Sequence, residues 1–345
     1  MADKNEPDDR MRERVPGSSL KLWLLLGAGR WLVAALTLGV VGAGVAVVLR
    51  VDPAPLRGAV EAADPVETLF QALLTAIVTG VTLVVSINSL VLSQELGAVG
   101  DQRERMSASM TFRGDVADEL GVPASPPEPS AFLRSLVELT GERAERFRDA
   151  AGVADGTVRE RVDGYVDDLT HNSSDVADRL DGAQFGTFEV VFAALDFNYS
   201  WKVYEARRLR GEHGDELGDE ALGALNDLID ALRLFGPARE HVKTLYFQWE
   251  LIDLSRAMLY SAVPALVVSV GGILALDNPG SVPGSTAGVA NLGWVTLAAT
   301  LVALAPFAVL LSYVLRIATV AKRTLAIGPF VLRETDRTDD IDWGE

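Results

Sequence analysis

The sequence predicts an all-α, polytopic membrane protein with four transmembrane helices and a cytoplasmic helical domain between spans two and three. Three observations carry the prediction. Four long runs contain no charge, an acidic and helix-patterned stretch separates the second run from the third, and Lys and Arg collect at one set of run ends. The 345 residues are 49% hydrophobic yet carry a net charge of −17. Residues 101–256 hold 18 basic and 31 acidic side chains, a net −13, so most of the acidity is central and the apolar runs lie outside it.

The elements follow in order. Residues 1–30 form a cytoplasmic N-terminal segment, whose apolar stretch 20–26 is expected to lie at the interface or to extend the first span inward. The first span is 31–49, between Arg30 and Arg50. Its nineteen residues rise roughly 28 Å as a helix, close to a hydrocarbon core of about 30 Å. A cleaved signal peptide is the competing reading, but the run starts 30 residues in and is too long for such an apolar region. An external loop, 50–66, leads to the second span, 67–94, whose charge-free part lies between Glu67 and Glu95. The cytoplasmic helical domain is 95–256. The third span, 257–276, and the fourth, 292–315, are joined by an external loop, 277–291, rich in Gly, Pro and Ser; a cytoplasmic tail, 316–345, follows.

Orientation comes from the distribution of Lys and Arg. Lys4, Arg10, Arg12, Arg14, Lys21 and Arg30 precede the first span, Arg103, Arg105 and Arg113 follow the second, Arg256 precedes the third, and Arg316, Lys322 and Arg323 follow the fourth. The first loop has only Arg50 and Arg57, and the last loop has neither residue type. Both termini and the domain are therefore expected in the cytoplasm of a multi-pass cell (plasma) membrane protein. The sequons at Asn172 and Asn198 would then be accidental.

Within the domain, Ser130 is expected to cap a helix over 131–151 after a Pro-rich break. Further helices are expected over about 155–182, 186–211, 218–234 and 237–256. Phe185, Phe188, Phe192, Leu195 and Tyr199 recur at helical spacing and predict one apolar packing face. The last helix is expected to run into the third span, and the second span to continue inward, which would tie the domain mechanically to the membrane helices.

The second span carries the most informative pattern. Thr68, Gln71, Thr75, Thr79, Thr82, Ser86, Ser89 and Ser93 recur at spacings of three and four. At 100° per residue they fall within an arc of about 80° and rise about 38 Å along the axis. Asn88 alone lies off the stripe. Two explanations suit it: packing against another helix, where Ser and Thr are common, or copies of the helix around an axis with the stripe lining a water-filled path. Ala35, Gly39 and Ala43 in the first span already offer a small-residue packing face. Asp64 lies on the stripe's line one turn outward and is a candidate for the outer mouth, although Asp64, Pro65 and Glu67 also read as a helix start.

Two resemblances add to this. The 26 Arg and 5 Lys beside 48 Asp and Glu resemble the cytoplasmic proteins of salt-in halophiles, haloarchaea above all, in which carboxylates hold water. The layout over 20–325, two spans, a large helical domain and two more spans, resembles bestrophin-type channels and bestrophin-like membrane proteins, with local likeness limited to Gly80-Val81-Thr82-Leu83-Val84-Val85-Ser86. That resemblance implies an oligomeric channel. The aromatic neck of that family is replaced here by Val81, Leu83, Val84 and Val85, no acidic calcium clasp can be assigned, and no functional residue carries over.

Other chemistry finds little support. With no cysteine there is no disulfide, thiol nucleophile or thiolate metal site. A segment at −13 is a poor nucleic-acid binder. His171, His213 and His241 form no metal-binding spacing, and Arg207, Arg208 and Arg210 are read as internal ion pairs. The expectation is thus a non-enzymatic, homo-oligomeric membrane protein without catalytic, metal or cofactor sites, an ion channel lined by the second span. Its partners would be the lipid bilayer, further copies of itself and inorganic ions. The alternatives are a non-conducting scaffold or signalling protein whose cytoplasmic domain binds a partner, and, third, a secondary transporter.

Overall fold

A computed structural model describes residues 23–51, 64–153, 156–184, 188–276 and 280–325. Most of the N-terminal segment, loop 52–63, the tail beyond 325 and Phe185 therefore lie outside the described residues. The described chain is helical apart from one pair of two-residue strands. Four of its helices are long and apolar enough to cross a membrane, at Arg30–Val51, Pro65–Ser93, within Glu189–Ala275 and at Asn291–Ala321. These four make the chain a membrane protein. Two compact units are formed, one from residues 97–247 and one from 23–96 with 248–320.

In the second unit a short π-helix, Trp23–Gly27, precedes α1 (Arg30–Val51) and α2 (Pro65–Glu95). The π-helix is separate from α1, with Ala28 and Gly29 between them. The apolar core is built chiefly by α2. Val66, Phe70, Leu73 and Ile77 pack with Ala262, Ala265, Leu276, Leu292 and Ala303, and Val84 packs with Ala34, Met258, Ala308 and Val309. The closest approach is at Gly272, where an added Cβ would lie 2.6 Å from the Phe70 ring. A bare backbone at Gly272 is what lets Phe70 become fully buried. A similar fit places Leu301 3.1 Å from the Cβ that Gly42 lacks.

This last contact corrects the expected packing face of the first membrane-length helix. Ala35, Gly39 and Ala43 are all exposed, and α1 instead turns Ala34 and Gly42 inward. The reason is steric: Gly42 admits the branched end of Leu301. After α7 the expected Gly- and Ser-rich turn is a small hairpin, β1 (Ser285–Thr286) and β2 (Val289–Ala290), with Thr286 opposite Val289. Ala287 and Gly288 both take positive φ (54° and 81°), as a two-residue hairpin turn requires. Asn291 and Trp294 of α8 (Asn291–Leu325) tie it down through Pro283 and Thr286 (3.0 Å each).

The first unit contains α3 (Val99–Leu120), α4 (Pro129–Ala150), α5 (Gly156–Leu180), α6 (Phe188–Asp196) and the first part of α7 (Tyr199–Ala275). α4 and α5 form its main pair, burying Leu133, Leu136, Val137 and Phe147 on one side and Val158, Val162, Val166 and Leu169 on the other. Three expectations change here. Ser130 is a buried residue inside α4, not its cap, because Pro129 takes the first helical position and Glu128 the cap position. The stretch expected as one helix over 186–211 breaks after Asp196, so Tyr199 does not share a helix with Phe192 and Leu195. The helix expected to start at Pro237 instead runs through it. The interruption falls at Gly218 (φ 70°, ψ 162°), while Gly236 matters for another reason: its missing Cβ would meet the Tyr199 ring at 2.9 Å.

The Gly272 notch makes a direct prediction. Gly272→Leu should destabilise the detergent-solubilised protein by about 1–3 kcal/mol, the usual cost of overpacking, and Phe70→Ala in the same chain should recover part of that loss. Thermal unfolding of the two single variants and the double variant measures it; strictly additive effects would show that the two residues do not share the space.

Candidate functional site

The chain places all eight stripe residues on one exposed face of α2. Thr68, Gln71, Thr75, Thr79, Thr82, Ser86, Ser89 and Ser93 are each exposed, whereas Val66, Phe70, Leu73, Ile77 and Val84 are buried. At 100° per residue the centre of the polar face lies roughly 165° from the centre of the buried face. Asn88 falls on the packed side and is half-buried. Exposed aliphatic residues flank the stripe, Val78, Val85 and Leu92 on one side and Leu83, Ile87 and Leu90 on the other. The polar face is thus a narrow ribbon within a surface otherwise suited to lipid or to another apolar helix.

The hydroxyls have a shared hydrogen-bonding state. Thr75, Thr79, Thr82, Ser86 and Ser89 each donate to the carbonyl four residues back (2.8–3.0 Å), and Ser93 donates to Leu90 (2.7 Å). A hydroxyl has one proton, so these six present oxygen lone pairs, not donors, to whatever lies opposite. Gln71 donates through Nε2 to the Glu67 carboxylate (2.7 Å). Asp64 occupies the N-cap position with φ 45° and ψ 49°; its carbonyl accepts from the Thr68 N–H (3.1 Å), but its side chain caps nothing. The exposed Asp64 carboxylate therefore stands at one end of the ribbon without a capping duty.

Sequence reasoning missed a second polar constellation in the same unit. Arg30 at the start of α1 pairs with Glu250 of α7, their side chains only 12% and 11% exposed. The Arg30 guanidinium also lies 5.3 Å from the centre of the Tyr313 ring of α8. Nearby on α8, the buried Arg316 donates to the Ala28 carbonyl. Each charge borders a charge-free run and so reads, in one dimension, as an orientation flank. Its pairing is a property of the helix packing. Removing one member of a buried pair leaves the other without compensation, at a typical cost of 3–5 kcal/mol, while replacing both by apolar side chains is often neutral.

The other unit is held by many Arg–carboxylate pairs across helices. Arg143 joins Glu119 (3.1 Å) to Asp227 (3.0 Å), Arg148 meets Asp167 (2.6 Å), Arg161 meets Glu212 (2.9 Å), and Arg134 pairs with Asp181. Arg208 pairs with Glu212 (2.7 Å), and Arg210 donates to the Asn226 carbonyl oxygen (3.0 Å). Asn172, the first of the two sequons, is buried and donates to the Asp196 carbonyl (3.1 Å). Burial pushes the Tyr165 phenol well above its ordinary range, reinforced by Glu205, and burial likewise raises Glu205 against the pull of Arg208 and Arg161. Glu240 goes the other way. Burial opposes its ionisation, but hydrogen bonds from Lys243 and Arg239 together outweigh it and hold the carboxyl below its ordinary 4.5.

Two predictions follow from these charges. For Arg30 and Glu250, Arg30→Met alone and Glu250→Met alone should each lower stability by about 3–5 kcal/mol, while the double replacement should cost much less; thermal unfolding of the four proteins measures the coupling, and additive losses would rule it out. For Glu240, a depressed native carboxyl stabilises the fold above pH 4.5 and that contribution is lost as pH falls through the native value. Lys243→Met should therefore lower the melting temperature at pH 7 and flatten its acid decline; an unchanged acid limb would contradict the assignment.

No curated protein and no solved structure matches the chain. A family model does match it over residues 1–345, so the chain belongs to DUF7972, a family of unknown function.

Proposed function

We propose that the protein is a homo-oligomeric ion channel of the cell membrane whose path is lined by the hydroxyl face of α2, with both termini and the helical unit in the cytoplasm. The observation that carries this reading is the rotational setting of α2. Its apolar face is consumed in packing against α7 and α8, while eight polar residues face away from the chain over the length of a membrane. Outward-facing oxygen acceptors in lipid forgo hydrogen bonds that water or an ion would supply, a loss of roughly 1–3 kcal/mol per polar group. Copies of α2 around an axis remove that loss by enclosing water.

The exposed Ala35, Gly39 and Ala43 of α1 support association, since small residues let membrane helices approach closely. Inorganic cations suit the path better than anions. The six hydroxyls offer lone pairs with their protons already committed, and the exposed Asp64 adds negative charge at one end. A non-conducting scaffold is the second reading. It is favoured by the same back-bonded hydroxyls, which need no water to satisfy their donors and could face another helix.

Bilayer reconstitution separates the two. Thr79→Trp should strongly reduce single-channel conductance, whereas Leu83→Trp on the aliphatic flank should leave it near the wild-type value. Reversal potentials in asymmetric salt should report cation preference. Absence of current from the oligomer, or equal currents for wild type and Thr79→Trp, would overturn the channel reading.

A further inference from the structure

The N-terminal half of α3 has no partner within the chain. Residues 99–111 are exposed along their whole length, and Val99, Met106 and Met110 are 81%, 71% and 63% exposed. Only the C-terminal half is docked: Val116 and Ala117 are buried, the Phe112 ring is 6.1 Å from Phe132, and Arg113 donates to the Ser125 and Pro126 carbonyls (2.9 Å each). The helix begins at Ala98 without a side-chain cap. Helices of about 12–15 residues are marginal in water without tertiary support, so an undocked stretch of this length calls for a partner.

We infer that the free face of α3 packs against α3 of neighbouring copies of this chain. Val99, Arg103, Met106 and Met110 follow one another at spacings of four, three and four, the seam of a helix that packs on a like helix, with Arg103 as the polar member that sets register. Beside the seam, Gly100, Ser107 and Ala108 help to line an open groove of about 660 Å³, small side chains that admit a second helix.

Charge identifies the occupant as a second copy. Residues 101–113 carry Asp101 and Glu104 against Arg103, Arg105 and Arg113, a net +1, whereas residues 114–256 carry 15 basic and 29 acidic side chains, a net −14. Two copies repel one another over the acidic remainder but can meet along a segment that holds both signs within one turn. α3 also starts four positions after α2 ends. The inference rests on the homo-oligomer proposed above, although not on its conducting ions.

The chain has no cysteine, so single-cysteine variants report without background. In the full-length protein in lipid nanodiscs, Val99→Cys, Met106→Cys and Met110→Cys should cross-link between subunits with a short bis-maleimide far faster than Asp219→Cys, an exposed position on α7. Native mass measurement on the same samples shows whether the oligomer is intact. An intact oligomer in which the α3 variants react no faster than Asp219→Cys overturns this inference and leaves the proposed pore standing. Fast α3 cross-linking beside currents indifferent to Thr79→Trp supports the inference and removes the pore.

Discussion

Phe70 lies against the bare backbone of Gly272, and this contact sets the rotation of α2. In water the hydrophobic effect would decide which face of such a helix turns inward. Between helices in lipid that force is nearly absent, because acyl chains are as apolar as leucine, and close packing takes its place. Phe70, Ile77 and Val84 provide that packing along one line, and Gly80 faces the Phe307 ring at ordinary contact distance. Turning α2 by half a revolution would exchange a set of fitted side chains for hydroxyls already satisfied by their own helix. Steric fit therefore directs the polar ribbon outward.

Charge has different tasks in the two units. Around the membrane-length helices it is sparse and buried: Arg30 with Glu250, and Arg316 on a backbone carbonyl, link α1, α7, α8 and the residues just before α1. In the helical unit charge is abundant and largely exposed, and the arginines bridge between helices, as Arg143 does from Glu119 to Asp227. Exposed pairs of this kind each contribute little, with a median of about 0–1 kcal/mol. Cohesion there comes mainly from the apolar seam of α4 and α5. The excess carboxylates leave a surface on which α3, with its mixed signs and exposed methionines, is the exception.

Much of this arrangement is legible in the sequence, and the remainder is hidden for identifiable reasons. The charge-free runs locate the four long helices because length and apolarity are one-dimensional properties, and the spacing of Thr75, Thr79, Thr82 and Ser86 places them on one face because a helix has one period. Which face α1 uses was not legible, since Ala35-Gly39-Ala43 and Ala34-Leu38-Gly42 are equally good patterns and only the Leu301 side chain decides between them. Helix boundaries near Asp196 and Pro237 were misjudged because Pro was read as a start signal, while the true interruptions follow a buried Asp196 and the positive φ of Gly218. The Arg30–Glu250 pair joins residues 220 positions apart, a separation over which no local pattern carries information. Nor does local pattern show that the first half of α3 lacks a partner.

The central claim is that the hydroxyl face of α2 borders water in the assembled protein. Cysteines introduced singly at 75, 78, 79, 82, 83, 85 and 86 of the reconstituted protein, each challenged with a charged, membrane-impermeant thiol reagent, test it most directly. The account predicts rapid modification at 75, 79, 82 and 86 and protection at 78, 83 and 85, a pattern with helical period. Uniform protection, or faster reaction at the aliphatic positions, would contradict it.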